Sequence, residues 1–357
     1  MTKAYLVLEN GNVFEGEYFG AEGEIISEVV FTTGMTGYLE TLSDKSYFGQ
    51  IVIQTFPLIG NYGVINEDLE GDIIGPSAYI VKEWCEMPSN FRCEGNINNF
   101  LKEKGIIGLC GIDTRALTKI IREKGVMNGA ITKDPSSVNF DKIHAYAVTK
   151  AVESVSTKEK IVLENSENDL HIALIDYGYK KNIARELIKR VGKVTVCPHD
   201  ITAEEIKKMN VDGIMLSNGP GDPKENKTII NNLKDLMKLN ITIFGICLGH
   251  QILALANGFD TSKLKYGHRG ANQPVKNTEL NRVYIASHNH GYAVESSSID
   301  EEIANELFFN VNDNTCAGIR YKKINAMSVQ FHPEACGGPL DTTYLFDEFI
   351  KNIREGK

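Results

Sequence analysis

ITIFGICLGHQILALANG, residues 241–258, is the stretch on which the fold turns. Residues 241–245 form an apolar run suited to a buried strand, and residues 248–257 have helical apolar spacing that Gly258 ends. Between them lies Gly245-Ile246-Cys247-Leu248-Gly249, a G-x-C-x-G turn. Small residues on both sides of a cysteine let the chain bend sharply from strand to helix and present the thiol at the corner. A thiol in the first turn of a helix faces the positive end of the macrodipole, which favours the thiolate. Backbone N–H groups of the same turn are suited to hold an oxyanion. The competing reading of Cys247 is a buried thiol serving as a small hydrophobe.

Upstream the strand–helix alternation repeats. Residues 171–176, 193–198 and 213–217 read as strands, and 181–190, 203–209 and 227–239 as amphipathic helices. This predicts an α/β domain over 171–357, a doubly wound, mostly parallel sheet. Reactive groups in such sheets gather at the carboxyl ends of the strands, here after Ser217 and Gly245. The loop Leu216-Ser217-Asn218-Gly219-Pro220-Gly221-Asp222-Pro223 follows one of those ends. It has no G-x-x-x-x-G-K-[ST] pattern, nor does any other part of the chain. It reads as a close backbone approach to a small substrate, or as a plain tight turn.

Downstream, Ser328-Val329-Gln330-Phe331-His332-Pro333-Glu334 ends a strand read over 326–331. In an extended segment residues i and i+2 face one way, so His332 and Glu334 share a side, with Pro333 holding the segment extended. A carboxylate beside an imidazole orients the ring and stabilises its charged form, as a nucleophilic thiol's base requires. The alternative is an exposed turn after an edge strand. His268, His288 and His290, with His332, raise a zinc site, and His288-x-His290 has the alternation of a strand. No acidic or cysteine ligand is characteristically spaced to them, so they read as satisfied or surface histidines and no metal is expected.

The first 150 residues read as a β-rich α+β domain. Segments 4–9 and 13–19 flank Asn10-Gly11, a hairpin signal because both central turn positions need φ > 0. Residues 28–32 and 50–55 are β-branched runs joined by a Gly/Thr/Ser-rich loop with a short helix. Residues 113–124 form a helix, capped by Asp113 or Thr114 and ended by Gly125. Residues 151–170 are polar with weak periodicity and read as a linker. Two domains also suit a length of 357 residues. With 42% apolar and 24% charged residues the composition is that of a globular protein, not of a disordered chain or a rod. The charge sum, 38 − 47 = −9, comes without a Lys/Arg stripe, which argues against nucleic acid as a partner. No apolar run approaches the roughly 20 residues of a membrane span. The seven cysteines lack a C-x-x-C pair, and the first residues lack a secretory signal, so a cytoplasmic location is expected.

In chain order TGMTGYLETLSDKSY, IGNYGV, GIDTRALT, IDYGYKKNIARELIKR, LSNGPGDP, GICLGHQ, GHRGANQPV, NHGYAV and SVQFHPEA form a pattern. It resembles the small subunits of glutamine-hydrolysing carbamoyl-phosphate synthases, which are class I (triad-type) glutamine amidotransferases. The likeness covers nearly the whole chain, the first 150 residues included. It implies that Cys247 attacks the side-chain amide of L-glutamine and forms a thioester. Gly219 and Leu248 would supply oxyanion N–H groups, His332 would move the protons, and Glu334 would support it. It implies glutamine contacts from Ser46, Gly219, Gly221, Leu248, Gln251, Asn289, Gly291 and Tyr292, with Ser46 brought by the first domain. It implies no cofactor on this chain and a large synthetase subunit as partner in a heterodimer. That partner would use ATP, bicarbonate and channelled ammonia to make carbamoyl phosphate for pyrimidine and arginine biosynthesis. The sequence departs from the pattern at Tyr177, Gln273, His288 and Cys336-Gly337, all outside the triad, which affects the surroundings of the pocket. Cys336, four residues from His332, raises the idea of an oxidation site. Other readings are a glutaminase serving a different ammonia-using synthetase, a metal-dependent hydrolase on the histidine cluster, and a silent regulatory subunit.

Overall fold

The computed structural model describes residues 2–73, 75–165, 168–335 and 337–356. The chain forms two compact units, Met1–Thr149 and Lys150–Lys357.

The first unit is a closed barrel. Around it run Lys3–Leu8, Val13–Gly20, Ile107–Cys110, Ala78–Ile80, Gln50–Gln54, Ile25–Thr32 and Met127–Thr132, the last pairing with the first. Period-two alternation buries both faces of several strands. Val29, Ile51, Ile53 and Ile80 join one core with Leu6 and Leu109, while Val30, Val52 and Tyr79 pack on Tyr38, Leu39 and Phe100. The parallel pair Ile25–Thr32 and Gln50–Gln54 needs a crossover, and the Tyr38–Ser43 helix lies on it. The hairpin at Asn10-Gly11 forms, but its turn is wider than expected. Pairing closes at Val7 and Val13, and of the two turn residues only Gly11 takes a positive φ, 85°. The Asn10 side chain instead accepts the Asn12 N–H at 3.1 Å, stabilising a longer loop. The helix Thr114–Lys124 is capped by the Asp113 carboxylate, which accepts the Ala116 N–H at 2.9 Å, and it ends at Gly125 with φ 103°.

The second unit includes the stretch read as a linker, and that reading is corrected. Ala151–Val155 is a helix with Ala151, Val152 and Val155 buried, and Ile161–Glu164 is an edge strand antiparallel to Lys193–Pro198. The pattern was too short to show because a four-residue edge strand buries little apolar surface.

The sheet has ten strands. Five of them run parallel in the order Lys193–Pro198, His171–Asp176, Gly213–Leu216, Thr242–Ile246 and Ala326–Val329. Beyond them Cys316–Tyr321, Ala304–Asn310, Thr261–Asn277 and Arg282–Val294 continue as an antiparallel arm. Alternate residues of each parallel strand face opposite cores. Ala173, Ile175, Ile214 and Leu216 pack with Leu233, Ile252 and Leu253 on one side, and Ile172, Leu174, Met215 and Phe244 with Ile183, Leu187 and Phe346 on the other. Helices on both faces leave the carboxyl ends of the parallel strands as the place for chemistry. Among the described residues no helix is long and apolar enough to cross a membrane.

Candidate active site

Cys247 is the residue between the strand Thr242–Ile246 and the helix Leu248–Ala256, with φ 53° and ψ −103°. A positive φ at a residue with a side chain is held only by its surroundings. Here the Cys247 N–H donates to the Val329 carbonyl at 2.8 Å, and its own carbonyl accepts the Gln251 N–H at 3.2 Å. The flanking glycines are sterically required. A Cβ on Gly245 would lie 2.9 Å from the Gly249 carbonyl oxygen, and one on Gly249 would lie 2.4 Å from the Leu216 carbonyl oxygen. The bend is therefore tight enough that helix and neighbouring strand touch through backbone. Leu248, first residue of the helix, has no intrahelical acceptor for its N–H. The Cys247 thiol is buried and donates to the Asn289 carbonyl at 3.6 Å.

His332 and Glu334 meet, though not through an extended chain. Residues 332–335 form a turn closed by the Ala335 N–H on the His332 carbonyl at 3.2 Å, since the proline-containing segment leaves the strand after Val329. The turn brings Glu334 Oε1 to 2.6 Å from His332 Nδ1, and both side chains are buried. The backbone of His332 is fixed in turn by its N–H on the Ser287 carbonyl at 2.9 Å. Its other ring nitrogen, Nε2, is buried without a hydrogen-bond partner. Burial and the Lys180 ammonium oppose protonation of His332, but the Glu334 carboxylate and Cys247 outweigh them and raise it to about 9. Glu334 is the converse. Burial pushes its carboxyl up, yet His332 and Lys180 bring it below the ordinary value.

Lys180 is a member of this site that sequence reading missed. Its Nζ is 3.3 Å from His332 Nδ1 and 3.7 Å from Glu334 Oε1. The available signal was its place in Asp176-Tyr177-Gly178-Tyr179-Lys180, directly after a parallel strand. The loop there is tied down from below. Asp176 Oδ1 accepts the Gly178 and Tyr179 N–H groups, and Asn218 Oδ1 accepts the Lys180 N–H at 3.1 Å. Asn218 thus fastens the loop after one strand to the loop after the next. Gly219 beside it packs so closely that a Cβ would meet the Tyr177 carbonyl oxygen at 2.3 Å and the Leu248 side chain at 2.7 Å. Gly221 turns the loop with φ 89°.

The remaining expected contacts lie on the far wall. Gln251 Nε2 donates to the Tyr292 carbonyl at 2.7 Å and to Gln330 Oε1 at 2.8 Å, which makes Gln330 a second missed residue. Asn289, Gly291 and Tyr292 follow one another on the strand Arg282–Val294, and Gly291 lies beside the Arg269 guanidinium. Ser46 belongs to the first unit, in the helical turn Lys45–Tyr47, with its N–H on Asp44 Oδ1 at 2.9 Å.

Two families match the sequence. Glutamine amidotransferase class-I covers residues 173–352, and carbamoyl-phosphate synthase small chain, CPSase domain, covers residues 6–131. A carbamoyl phosphate synthase small chain from Clostridium perfringens is 50% identical over 351 residues, 98% of this chain and 99% of its own. The chain belongs to the carbamoyl-phosphate synthase small chain family. Small chains from Listeria innocua and Fusobacterium nucleatum are each 47% identical, over 99% of this chain and 98% and 99% of theirs. As a member of this small chain family the protein is a glutamine-hydrolysing amidotransferase subunit, and the class-I match falls on the unit that carries Cys247, His332 and Glu334.

Some features of this small chain were unexpected. His268, His288 and His290 are not scattered surface residues but converge, one ring nitrogen of each within 4.8 Å of the others. His332, which the metal reading recruited as a fourth ligand, is held by Glu334 and Lys180 instead. Gln273 accepts from Asn310 Nδ2 at 3.2 Å, and the Tyr177 ring is buried. Cys336 lies outside the described residues.

Proposed function

We propose that this chain releases ammonia from L-glutamine by a covalent route and delivers it to a large synthetase subunit. The observation that carries the reading is a buried sulfur on a strained strand–helix corner, in the same site as a buried His332–Glu334 pair with a raised histidine. The Cys247 thiolate attacks the carboxamide carbon, and the N–H groups of Gly219 and Leu248 hold the oxyanion. Protonated His332 gives its proton to the departing nitrogen, the C–N bond breaks, and a γ-glutamyl thioester remains. The neutral imidazole then takes a proton from water, whose oxygen attacks the thioester, and glutamate leaves with the thiolate restored. Glu334 fixes the ring through Nδ1, so that Nε2 is the nitrogen that exchanges protons.

Glutamine contacts fall in this reading to Ser46, Gly219, Gly221, Leu248, Gln251, Asn289, Gly291 and Tyr292. Ammonia in water near neutral pH is mostly protonated and no longer nucleophilic, so a sheltered passage to the partner suits the chemistry. The partner would use ATP and bicarbonate, and no cofactor is assigned to this chain. The carbamoyl phosphate formed would supply pyrimidine and arginine biosynthesis in the cytoplasm. The test is glutamate release by the purified chain, with and without a large subunit, before and after Cys247→Ser. Release that requires Cys247 supports the route, and undiminished release from the variant refutes it.

A further inference from the structure

The convergence of His268, His288 and His290 follows from the strands that carry them. Residues two apart on a strand face one way, which aligns His288 with His290. The ladder pairs His290 directly with His268 on the neighbouring strand. Outer partners fix which nitrogens hold protons. His290 Nδ1 is 2.7 Å from the Tyr292 carbonyl, an acceptor only, so Nδ1 carries the proton and Nε2 the lone pair. His268 Nε2 is 2.7 Å from Asp313 Oδ2, so Nδ1 carries its lone pair. A carbonyl or carboxylate behind the ring is the outer partner typical of metal-bound imidazoles. His288 Nδ1 lies 3.0 Å from His290 Nε2. Two nitrogens on a tetrahedral zinc ion are separated by about 3.3 Å. The remaining nitrogen, His288 Nε2, is buried with no partner and can take the ring proton when Nδ1 binds an ion. Burial holds both His288 and His290 neutral, the state that ligates.

We propose that these three imidazoles bind one divalent transition-metal ion of the zinc class, with the fourth position open. Nitrogen-only ligation selects against magnesium and calcium, which seek oxygen. Two groups oppose binding. Asn310 Nδ2 approaches His268 Nδ1 at 3.5 Å and must give way as His268 turns inward. The Arg269 guanidinium acts on His290 as a like charge, though its Nη1 is held by the Tyr266 carbonyl at 2.7 Å and the Asp313 carboxylate behind His268 counters it. A bound ion would pin the two strands where the Asn289 carbonyl receives the Cys247 thiol and the Tyr292 carbonyl receives Gln251.

The test titrates the full chain with Co²⁺ and Zn²⁺ against a chromophoric chelator, in a Cys247→Ser background that removes the active-site sulfur as a competing ligand. One equivalent is expected, with the visible absorption of tetrahedral Co²⁺, lost in His268→Gln and in His288→Gln. Asp313→Asn, at a partly exposed position, should weaken binding about 10- to 100-fold while the fold survives. Absence of stoichiometric binding overturns the site, as does binding that persists in both histidine variants or is unchanged in Asp313→Asn.

Discussion

The charge on His332 is a balance between groups that can be removed singly. Burial and Lys180 lower its affinity for a proton, and Glu334 and Cys247 raise it, with a result near 9. In glutaminase assays the proton delivered to the leaving nitrogen is then available at neutral pH and lost as pH rises through about 9. Glu334→Gln removes a raising group and leaves both lowering ones, so the alkaline limb of the kcat/KM profile should move to lower pH. Lys180→Met removes a lowering group, so the same limb should move to higher pH or leave the accessible range. Shifts in one direction for both variants would contradict the assigned balance. Stability carries the same sign. A histidine whose value rises on folding from about 6.5 to about 9 contributes fully below 6.5, and the contribution disappears as pH rises to 9. Urea unfolding of the wild-type chain should show this loss between those limits, and Glu334→Gln should show less of it.

The strand–turn–helix corner depends on glycine for two different reasons, and substitution separates them. Gly249→Ala puts a methyl 2.4 Å from the Leu216 carbonyl oxygen, a backbone atom that cannot rotate away. It should cost about 1–3 kcal/mol by overpacking and lower kcat by displacing the corner that holds Cys247. Gly258→Ala meets nothing within 4 Å but forces an alanine to φ 90°. It should cost about 1–2 kcal/mol with glutaminase activity intact. Urea midpoints and glutamate release decide both. The corner was legible in the sequence because G-x-C-x-G states its steric needs residue by residue. The parallel strands were legible because burial on both faces makes them continuous apolar runs such as Ile172–Ile175. The antiparallel arm was not. Thr261–Asn277 contains glycines and Pro274, and its ladder slips register twice, so no period of two survives. With the arm unread, the meeting of His268 with His290, and of Gln251 with Tyr292, had no basis. Lys180 was missed for a related reason, since its partners are 152 and 154 positions away and only the fold joins them.

At the scale of the whole molecule the proposed division of labour has a direct test. The two units each bury their own cores, and the sulfur, its histidine and its carboxylate all belong to Lys150–Lys357. Substitution at Cys247 should therefore leave the first unit folded. Cys247→Ser keeps the size and the N–H of the residue, and only the nucleophile weakens, since a serine hydroxyl is hardly ionised near neutral pH and no strong base is paired with it. Combined with a large synthetase subunit, the variant should lose glutamine-dependent carbamoyl phosphate formation by about 10³-fold or more. Formation from added ammonium salts should persist at near the wild-type rate, because ammonia supplied from solution bypasses the glutaminase. Both activities are read in one assay on one complex, with sedimentation establishing that the variant still assembles. Loss of the ammonia-dependent rate in a fully assembled complex would mean that this chain takes part in the later chemistry, and the proposed separation of amide hydrolysis from carbamoyl transfer would fall.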